Sequence, residues 1–371
     1  MISRRALLAI PLAAAGCRSR RPAAFQGYAM VANSEGNNLA AVDLEVFAVA
    51  RHIPLDGAPA QVLAAVERPS VYALTPDNGS VHEIEFDRLA FKRKLAIASS
   101  AVSMHLDEKR GVLYVLARDP KALARVDLDS FRVDWRIALP EEPLEFALAP
   151  DGKIAAVSSA SGVRLIDLAS KKCGGPLGSG DFGQVRFLSD SRTMIAANRG
   201  GRMLSFYETT GGRLIADLPV AVRPDHLCFN LGDEYSTDGG QLFVTGDGMD
   251  AVVVVYPYYT PEIAGTVLAG HAPGAMAASS SFLFIASPQA GETSILEIRT
   301  RQVIAVVSVG SEPDFICVTP DDQYALVLNR KSGDMSVLRV GSIQPNRSKM
   351  ASLLTVVPVG SGPVSAAVKS V

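Results

Sequence analysis

Short apolar runs alternate with polar, glycine- and proline-rich turns along most of the chain. The runs hold about four to seven residues and are rich in Val, Ile, Leu and Ala, whereas the wider spacing of an amphipathic helix is scarce. Runs of this length between turn residues are typical of short strands. The pattern therefore predicts an all-β protein.

The pattern restarts eight times, at positions 59, 100, 143, 182, 224, 273, 313 and 363. A hydrophobic-acidic-hydrophobic triplet marks the same register in the first half of the chain, as Val42-Asp43-Leu44, Ile84-Glu85-Phe86, Val126-Asp127-Leu128 and Ile166-Asp167-Leu168. A self-similar period of about 42 residues is typical of stacked supersecondary units. Four short strands in each period are the pattern of a β-propeller blade.

The two ends of the chain indicate how the ring closes. One complete unit shows strands over residues 314–319, 324–328, 335–340 and 353–359, whereas residues 28–55 hold three strands without a first one. Residues 363–370 hold a lone first strand, which would complete that blade and remove two open sheet edges. The sequence therefore predicts eight blades, with seven as the alternative, and closure by the C-terminal strand joining the N-terminal blade.

Several segments resemble the YVTN-repeat (YncE-like) bacterial β-propeller family. They are residues 28–33 (YAMVAN), 38–44 (NLAAVDL), 309–313 (VGSEP) and 319–321 (TPD). The resemblance spans residues 28–371 and rests on turn and core positions, so it implies a propeller fold and little about function. Members of that family are often described with seven blades, which the repeat count here does not reproduce.

The N-terminus has the organisation of an export signal. Arg4 and Arg5 precede an apolar run over residues 6–15, which is too short to span a bilayer as a helix, where roughly 20 residues are needed. Residues 3–8 resemble a twin-arginine signal, and residues 14–17, ending in Gly16-Cys17, resemble a bacterial lipobox. Lipidation of Cys17 is therefore predicted. A plain secretory signal cut near Ala15 is the alternative.

On this interpretation the chain has three parts: an export or lipoprotein signal over residues 1–17, a short basic tether over 18–27 and a single β-propeller domain over 28–371. An acylated cysteine attaches a domain stably to a membrane. We therefore expect an exported protein in the periplasm or on the outer cell surface, held to the membrane by a lipid anchor.

Composition argues against several classes of function. A formal net charge of -2, without runs of like charge in the repeat region, gives no electrostatic footprint for nucleic acid. The 5 histidines are scattered without metal-ligand spacing, and there is no Cys-x-x-Cys, so we expect neither a metal nor a cofactor. His105 lies within an apolar first strand and is predicted to be a core residue.

A polar ring at the mouth of the central channel is the place to look for catalysis. The positions two residues after each restart are Gln61, Val102, Glu145, Gln184, His226, Ala275, Phe315 and Ser365. Glu145 and His226, with Arg223 nearby, are weak candidates for the base and the oxyanion support of a lactonase-like hydrolysis. Channel mouths also collect polar residues because water fills them, so no catalytic residue is assigned.

Insertions fall on the opposite face of the ring, over residues 231–236, 256–261 and 341–352. Tyr256, Tyr258 and Tyr259 provide amphipathic rings suited to an interface, with packing of the loop onto its own blade as the alternative. We expect a non-enzymatic binding or scaffolding module of the bacterial cell envelope, whose partner is a protein or a cell-envelope ligand. The alternative is a lactonase-like hydrolase or the propeller subunit of a periplasmic redox assembly.

Overall fold

The protein is a ring of eight four-stranded antiparallel sheets. The computed structural model describes residues 25–230, 240–343 and 352–371, and within these ranges the chain forms strands β1–β32 and no α-helix. Three short 3₁₀ helices within the same ranges, Pro76–Asn78, Glu108–Arg110 and Val340–Ser342, lie in turns. The predicted fold class and the predicted count of eight blades are confirmed.

The strands are numbered in chain order. The innermost strands of the sheets are β4 (Gln61–Ala64), β8 (Ser100–Asp107), β12 (Pro143–Leu148), β16 (Phe182–Phe187), β20 (His226–Phe229), β24 (Met276–Ala278), β28 (Pro313–Val318) and β32 (Pro363–Ser370). The second strands are β1 (Gly27–Asn33), β5 (Ser70–Thr75), β9 (Val112–Asp119), β13 (Ile154–Ser159), β17 (Thr193–Asn198), β21 (Leu242–Thr245), β25 (Phe282–Ser287) and β29 (Tyr324–Asn329).

The third strands are β2 (Asn38–Asp43), β6 (Ser80–Glu85), β10 (Ala122–Asp127), β14 (Gly162–Asp167), β18 (Met203–Glu208), β22 (Ala251–Tyr256), β26 (Glu292–Glu297) and β30 (Asp334–Arg339). The outermost strands are β3 (Ala48–Pro54), β7 (Ala90–Ala96), β11 (Arg132–Ala138), β15 (Lys172–Leu177), β19 (Leu214–Pro219), β23 (Glu262–Leu268), β27 (Gln302–Ser308) and β31 (Leu353–Pro358).

Blade I consists of β32 and β1–β3, and blades II to VIII follow in chain order from β4–β7 to β28–β31. Each innermost strand contacts the innermost strands of both neighbouring blades, which closes the ring around a central channel. Loops that lead into the innermost strands, and loops between second and third strands, lie on what we call the first face. The remaining loops lie on the second face.

The hydrophobic core is a ring of eight clusters, one between each pair of neighbouring blades. Alternate residues of one strand therefore enter different clusters: in β1, Ala29 and Val31 pack towards blade VIII, whereas Met30 and Ala32 pack towards blade II. Because both faces of the second strands are buried, strands such as β5 and β29 are nearly continuous apolar runs, whereas the outermost strand β11 alternates between exposed and partly buried residues.

The C-terminal strand closes the ring as predicted. β32 pairs antiparallel with β1, from Gly27 opposite Ser370 to Asn33 opposite Pro363, with a register shift next to Asn33. The backbone N–H of Ser34 extends this pairing by donating to Gly362 O at 2.8 Å. Blade I is therefore built from both ends of the described chain.

Candidate functional site

Three of the predicted channel-mouth side chains join neighbouring innermost strands. Gln61 Oε1 accepts the backbone N–H of Met104 at 2.7 Å, and its Nε2 donates to Met104 O at 3.0 Å. Gln184 Oε1 accepts the N–H of Leu227 at 2.8 Å, and Ser365 Oγ accepts an N–H of blade II at 3.2 Å. These polar side chains connect one blade to the next.

Glu145 has the same kind of role. Its Oε1 lies 3.1 Å from Nη1 of Arg186 in the next blade, and the same guanidinium donates to Gln184 Oε1 at 3.1 Å. Arg223 is also paired, since its Nε lies 2.9 Å from both carboxylate oxygens of Asp225. The carboxylate and the guanidinium considered for hydrolysis therefore each have a charged partner of their own.

Several charged groups, Glu145 among them, influence the pKa of His226. Burial lowers the pKa of the His226 imidazole, while Asp225, Asp314 and Glu145 act in the opposite direction and Arg186 adds to the lowering. Burial therefore favours the neutral form of the His226 imidazole more than in a free histidine. His226 and the ion-paired Glu145 both belong to innermost strands that border the channel.

His105 lies in a different environment from the one predicted. Its side chain is exposed in the channel rather than packed in a core, with its ring edge-on to Phe146 at 6.3 Å between centroids. The surrounding protein still lowers the pKa of the imidazole, mainly by desolvation. The core prediction for His105 was wrong because an innermost strand borders the channel.

The three tyrosines of the predicted binding loop have different surroundings. The Tyr256 hydroxyl accepts a hydrogen bond from Arg301 of the next blade, whose guanidinium lies 5.0 Å from the centre of the Tyr256 ring. Tyr258 packs against the core cluster between blades V and VI. Tyr259 is 89% exposed at the tip of the loop. Tyr256 and Tyr258 therefore contribute to packing, and Tyr259 alone of the three projects into solvent.

Several predicted features lie outside the described residues. They are the export-signal residues Arg4 and Arg5, the predicted lipidation site Cys17, the insertion over 231–236 and most of the insertion over 341–352. In the part of the chain that the structure does describe, no helix is long and apolar enough to cross a membrane, and no three metal-ligating side chains converge.

A cleft of about 350 Å³ opens on the second face between blades III and IV. It is lined by two aromatic rings, three cationic side chains and small or apolar residues: Tyr114, Trp135, Arg110, Arg125, Lys153, Gly152, Leu168 and Ala169. The Tyr114 and Trp135 rings lie 6.0 Å apart between centroids at an interplanar angle of 56°. The aromatic wall is therefore a fixed, tilted pair.

Carboxylates outside the lining hold the cations of this cleft in place. Arg110 Nη1 lies 2.8 Å from Asp107 Oδ2, and Arg125 Nη1 pairs with Asp134. Burial raises the pKa of the Tyr114 hydroxyl, with Arg125 opposing the shift. The Arg125 guanidinium thus lies between an aromatic wall and a carboxylate that orients it.

A second cleft, of about 340 Å³, lies on the first face between blades I and II. His82 is buried, and its Nε2 lies 2.8 Å from Asp56 Oδ1, while Lys94 bonds the other carboxylate oxygen. The bond from Lys94, together with His82, lowers the pKa of Asp56 to about 2. These bonds fix the loop that leads into blade II.

These features define the protein as an eight-bladed β-propeller, and known structures share the fold. The chain is similar to a solved structure described as dihydro-heme d1 dehydrogenase NirN in complex with DHE, at 14% identity and a TM-score of 0.76, covering 96% of this chain and 78% of that one. It is also similar to apo AztD from Citrobacter koseri, at 12% identity and a TM-score of 0.66, covering 93% and 98% of the two chains.

Hydrazine synthase from Kuenenia stuttgartiensis is similar at 14% identity and a TM-score of 0.59, covering 90% of this chain and 100% of that one. Identities this low establish the fold alone. No protein-family model matches the chain, and no curated protein matches it in sequence. Membership of the YVTN-repeat family therefore stays a prediction.

The cleft between blades III and IV was not found from the sequence. Its residues come from two repeats and from six different strands and turns, so no single segment shows a motif. The available signal was Trp135, the 1 tryptophan of the chain, on an outermost strand between Asp134 and Arg136. A large ring between charged neighbours on an exposed strand indicates an amphipathic contact surface.

Proposed function

We propose that the protein is an exported, lipid-anchored binding module of the cell envelope that holds a protein or an envelope ligand on its second face. The observation that carries the proposal is the contrast between the channel mouth and the second face. At the channel mouth, Gln61, Glu145, Gln184 and Ser365 are engaged in bonds between blades. The second face carries the aromatic and cationic cleft and the exposed Tyr259.

The path of the chain supports a membrane-facing second face. Phe25 and Gln26 lie there, where Val371 N donates to Gln26 O at 3.1 Å. Cys17 precedes Phe25 by 8 residues, which span at most about 28 Å when fully extended. A lipidated Cys17 would therefore keep the second face within that distance of the bilayer surface.

Mass spectrometry of the membrane fraction tests the anchor. We expect mature chains that begin at an acylated Cys17, and we expect Cys17→Ser to release the protein into the soluble fraction. An unmodified Cys17 on membrane-associated mature protein would refute the anchor.

Site-specific photo-crosslinking in cells tests the binding face. A photoreactive residue at Tyr259 on the second face is compared with one at Leu268, which is 75% exposed at the first-face end of β23. We expect a discrete adduct from position 259 that is absent from position 268. Equal adducts from both positions, or none from either, would contradict the proposed face.

A lactonase-like hydrolase is the second candidate, favoured by the lowered pKa of the His226 imidazole, on which the Glu145 carboxylate two blades away also acts. Screening the purified protein against lactones, together with Glu145→Gln and His226→Ala, separates the two functions. The binding proposal predicts no turnover. Turnover that both variants abolish without loss of thermal stability would establish the hydrolase instead.

A propeller subunit of a periplasmic redox assembly is the other alternative, and the similarity in fold to a protein named a dehydrogenase supports keeping it. Visible absorption of protein purified from the native envelope addresses this alternative. The binding proposal predicts no bound chromophore.

A further inference from the structure

We propose that the cleft between blades III and IV binds a small organic anion that carries a planar ring. The inference deepens the proposed binding function by naming the chemical class of a ligand for the second face. A cleft of about 350 Å³ suits a small molecule, since the smallest ligand pockets have volumes of about 300 Å³.

The charges of the lining select an anion. Arg110, Arg125 and Lys153 all line the cleft, and no carboxylate is among its described lining residues. Asp151 lies 3.3 Å from Lys153, but this pair is largely exposed and contributes little stability, so an incoming anion can share the ammonium. Two guanidiniums with fixed orientation also suit the planar fork of a carboxylate or the oxygens of a phosphate.

The carboxylates behind the arginines preorganise them. Asp107 accepts from the backbone N–H of Arg110 at 3.3 Å as well as from its guanidinium, and Asp134 holds Arg125. Arg110 also donates to Asp151 O, across a turn at Gly152. Side chains held in this way lose less conformational entropy when a ligand binds.

The shape of the cleft at Gly152 depends on having no side chain there. Gly152 has φ = +62°, and a Cβ at this position would lie 2.1 Å from Arg110 Nη1. The guanidinium therefore packs directly over the turn, which sets the floor of the cleft. Any larger residue would displace Arg110 from the lining.

The aromatic side chains of the cleft favour a ligand that carries a planar ring. Trp135 is half-buried and tilts against the buried Tyr114, and Leu168 and Ala169 complete an apolar surface on the blade IV side. Lys171 Nζ lies 5.8 Å from the centre of the Trp135 ring. A planar ligand ring that stacks on this wall places its anionic group within reach of the cations at the same opening.

Trp135 makes the test direct, because it is the 1 tryptophan of the whole chain and its fluorescence reports this cleft alone. The full chain in detergent is titrated with phenyl phosphate and with benzoate. Inorganic phosphate serves as the control without a ring, and phenol as the control without a charge. We expect saturable fluorescence changes with Kd below about 1 mM for the ring-bearing anions and at least tenfold weaker binding of both controls.

Variants assign the effect to the lining. Arg125→Gln should weaken binding of phenyl phosphate at least fivefold. Arg125→Lys should weaken it less, because lysine keeps the positive charge but lacks the planar guanidinium that forms two parallel hydrogen bonds. The matched control is Arg213→Gln, since Arg213 pairs with Glu208 on the same face and is not among the lining residues of the cleft. A melting curve for each variant checks that the fold is retained.

Two results would overturn the inference: no saturable change with either ring-bearing anion up to about 10 mM, or binding that Arg125→Gln leaves unaltered. Binding of phosphate or phenol as tight as that of phenyl phosphate would also refute the stated class. Each of these outcomes leaves the crosslinking result at Tyr259 untouched, so failure here is distinguishable from failure of the proposed binding face.

Discussion

Deletion of residues 363–371 removes the strand that closes the ring. β32 and β1 pair over seven residue pairs, and a backbone hydrogen bond contributes about 1 kcal/mol net. The deletion also removes Ser365, which accepts a backbone N–H of blade II, and Lys369, whose ammonium donates to Ala65 O and Val66 O. The combined loss is about 5–8 kcal/mol, against a typical total stability of about 5–15 kcal/mol.

Thermal unfolding followed by far-ultraviolet circular dichroism measures this loss. We expect the truncated chain to melt at least about 10 °C below the full chain, because each kcal/mol shifts the midpoint by about 2 °C in a chain of this size. Deleting Val371 alone is the control, since this exposed residue contributes one backbone bond, to Gln26 O. Equal melting of the truncated and full chains would show that the ring does not depend on this strand.

A truncated chain that fails to fold is still informative when the strand is supplied separately. A synthetic peptide of residues 363–371 presents the same seven pairing positions to β1. We expect it to restore β-sheet circular dichroism and a melting transition to the truncated chain, or to raise an existing melting temperature, in a concentration-dependent way, and a scrambled peptide to have no effect. No rescue by the native peptide, together with unaltered secondary structure in the truncated chain, would refute closure by strand pairing.

Three further predictions concern single side chains. Glu83→Gln should lower the free energy of unfolding by about 2–4 kcal/mol, because the buried Glu83 carboxylate accepts three side-chain hydrogen bonds. The control is Glu85→Gln, which should cost less than about 0.5 kcal/mol because Glu85 is partly exposed. Denaturant titrations measure both values. Asp56→Asn should cost at most about 1 kcal/mol at pH 7, because the carboxylate paired with Lys94 is half-exposed. The folded pKa of about 2 lies below the ordinary 3.8, so the advantage of Asp56 is present above about pH 4 and should vanish as the pH falls towards 2. Gly152→Ala should cost about 1–2 kcal/mol in thermal melts, since its φ of +62° disfavours a side chain and a guanidinium occupies the space.

Strand positions were predictable because burial on both sides of a blade produces apolar runs that end sharply at turns. In blade VIII the predicted strands over 314–319, 324–328, 335–340 and 353–359 fall within one residue of the observed β28–β31 at each end. Closure was predictable for a related reason, since three strands at one end and one at the other complete a single sheet.

Contacts between blades were not predictable from the sequence. The repeat pattern assigns each residue to a position within its own blade, but it does not show which residue of the next blade that residue contacts. Gln61 and Gln184 were placed correctly at the channel mouth, yet their backbone partners Met104 and Leu227 belong to neighbouring blades. The cleft escaped prediction for the same reason, since blade III supplies its rings and blade IV its floor.

The polar channel mouth follows from the geometry of a propeller. Each innermost strand has a neighbour in its sheet on one side only, so its other edge presents unpaired backbone groups towards the channel. Gln61 meets both the N–H and the C=O of Met104, and Gln184 meets the N–H of Leu227, so side chains satisfy part of that edge from the adjacent blade. The need to satisfy these edge groups therefore explains why polar residues recur at the channel mouth. In the cleft, Arg110 likewise bonds a backbone oxygen of the next blade, but Trp135 and Lys153 line the same opening without serving an innermost strand, which makes the cleft the stronger place to search for a ligand.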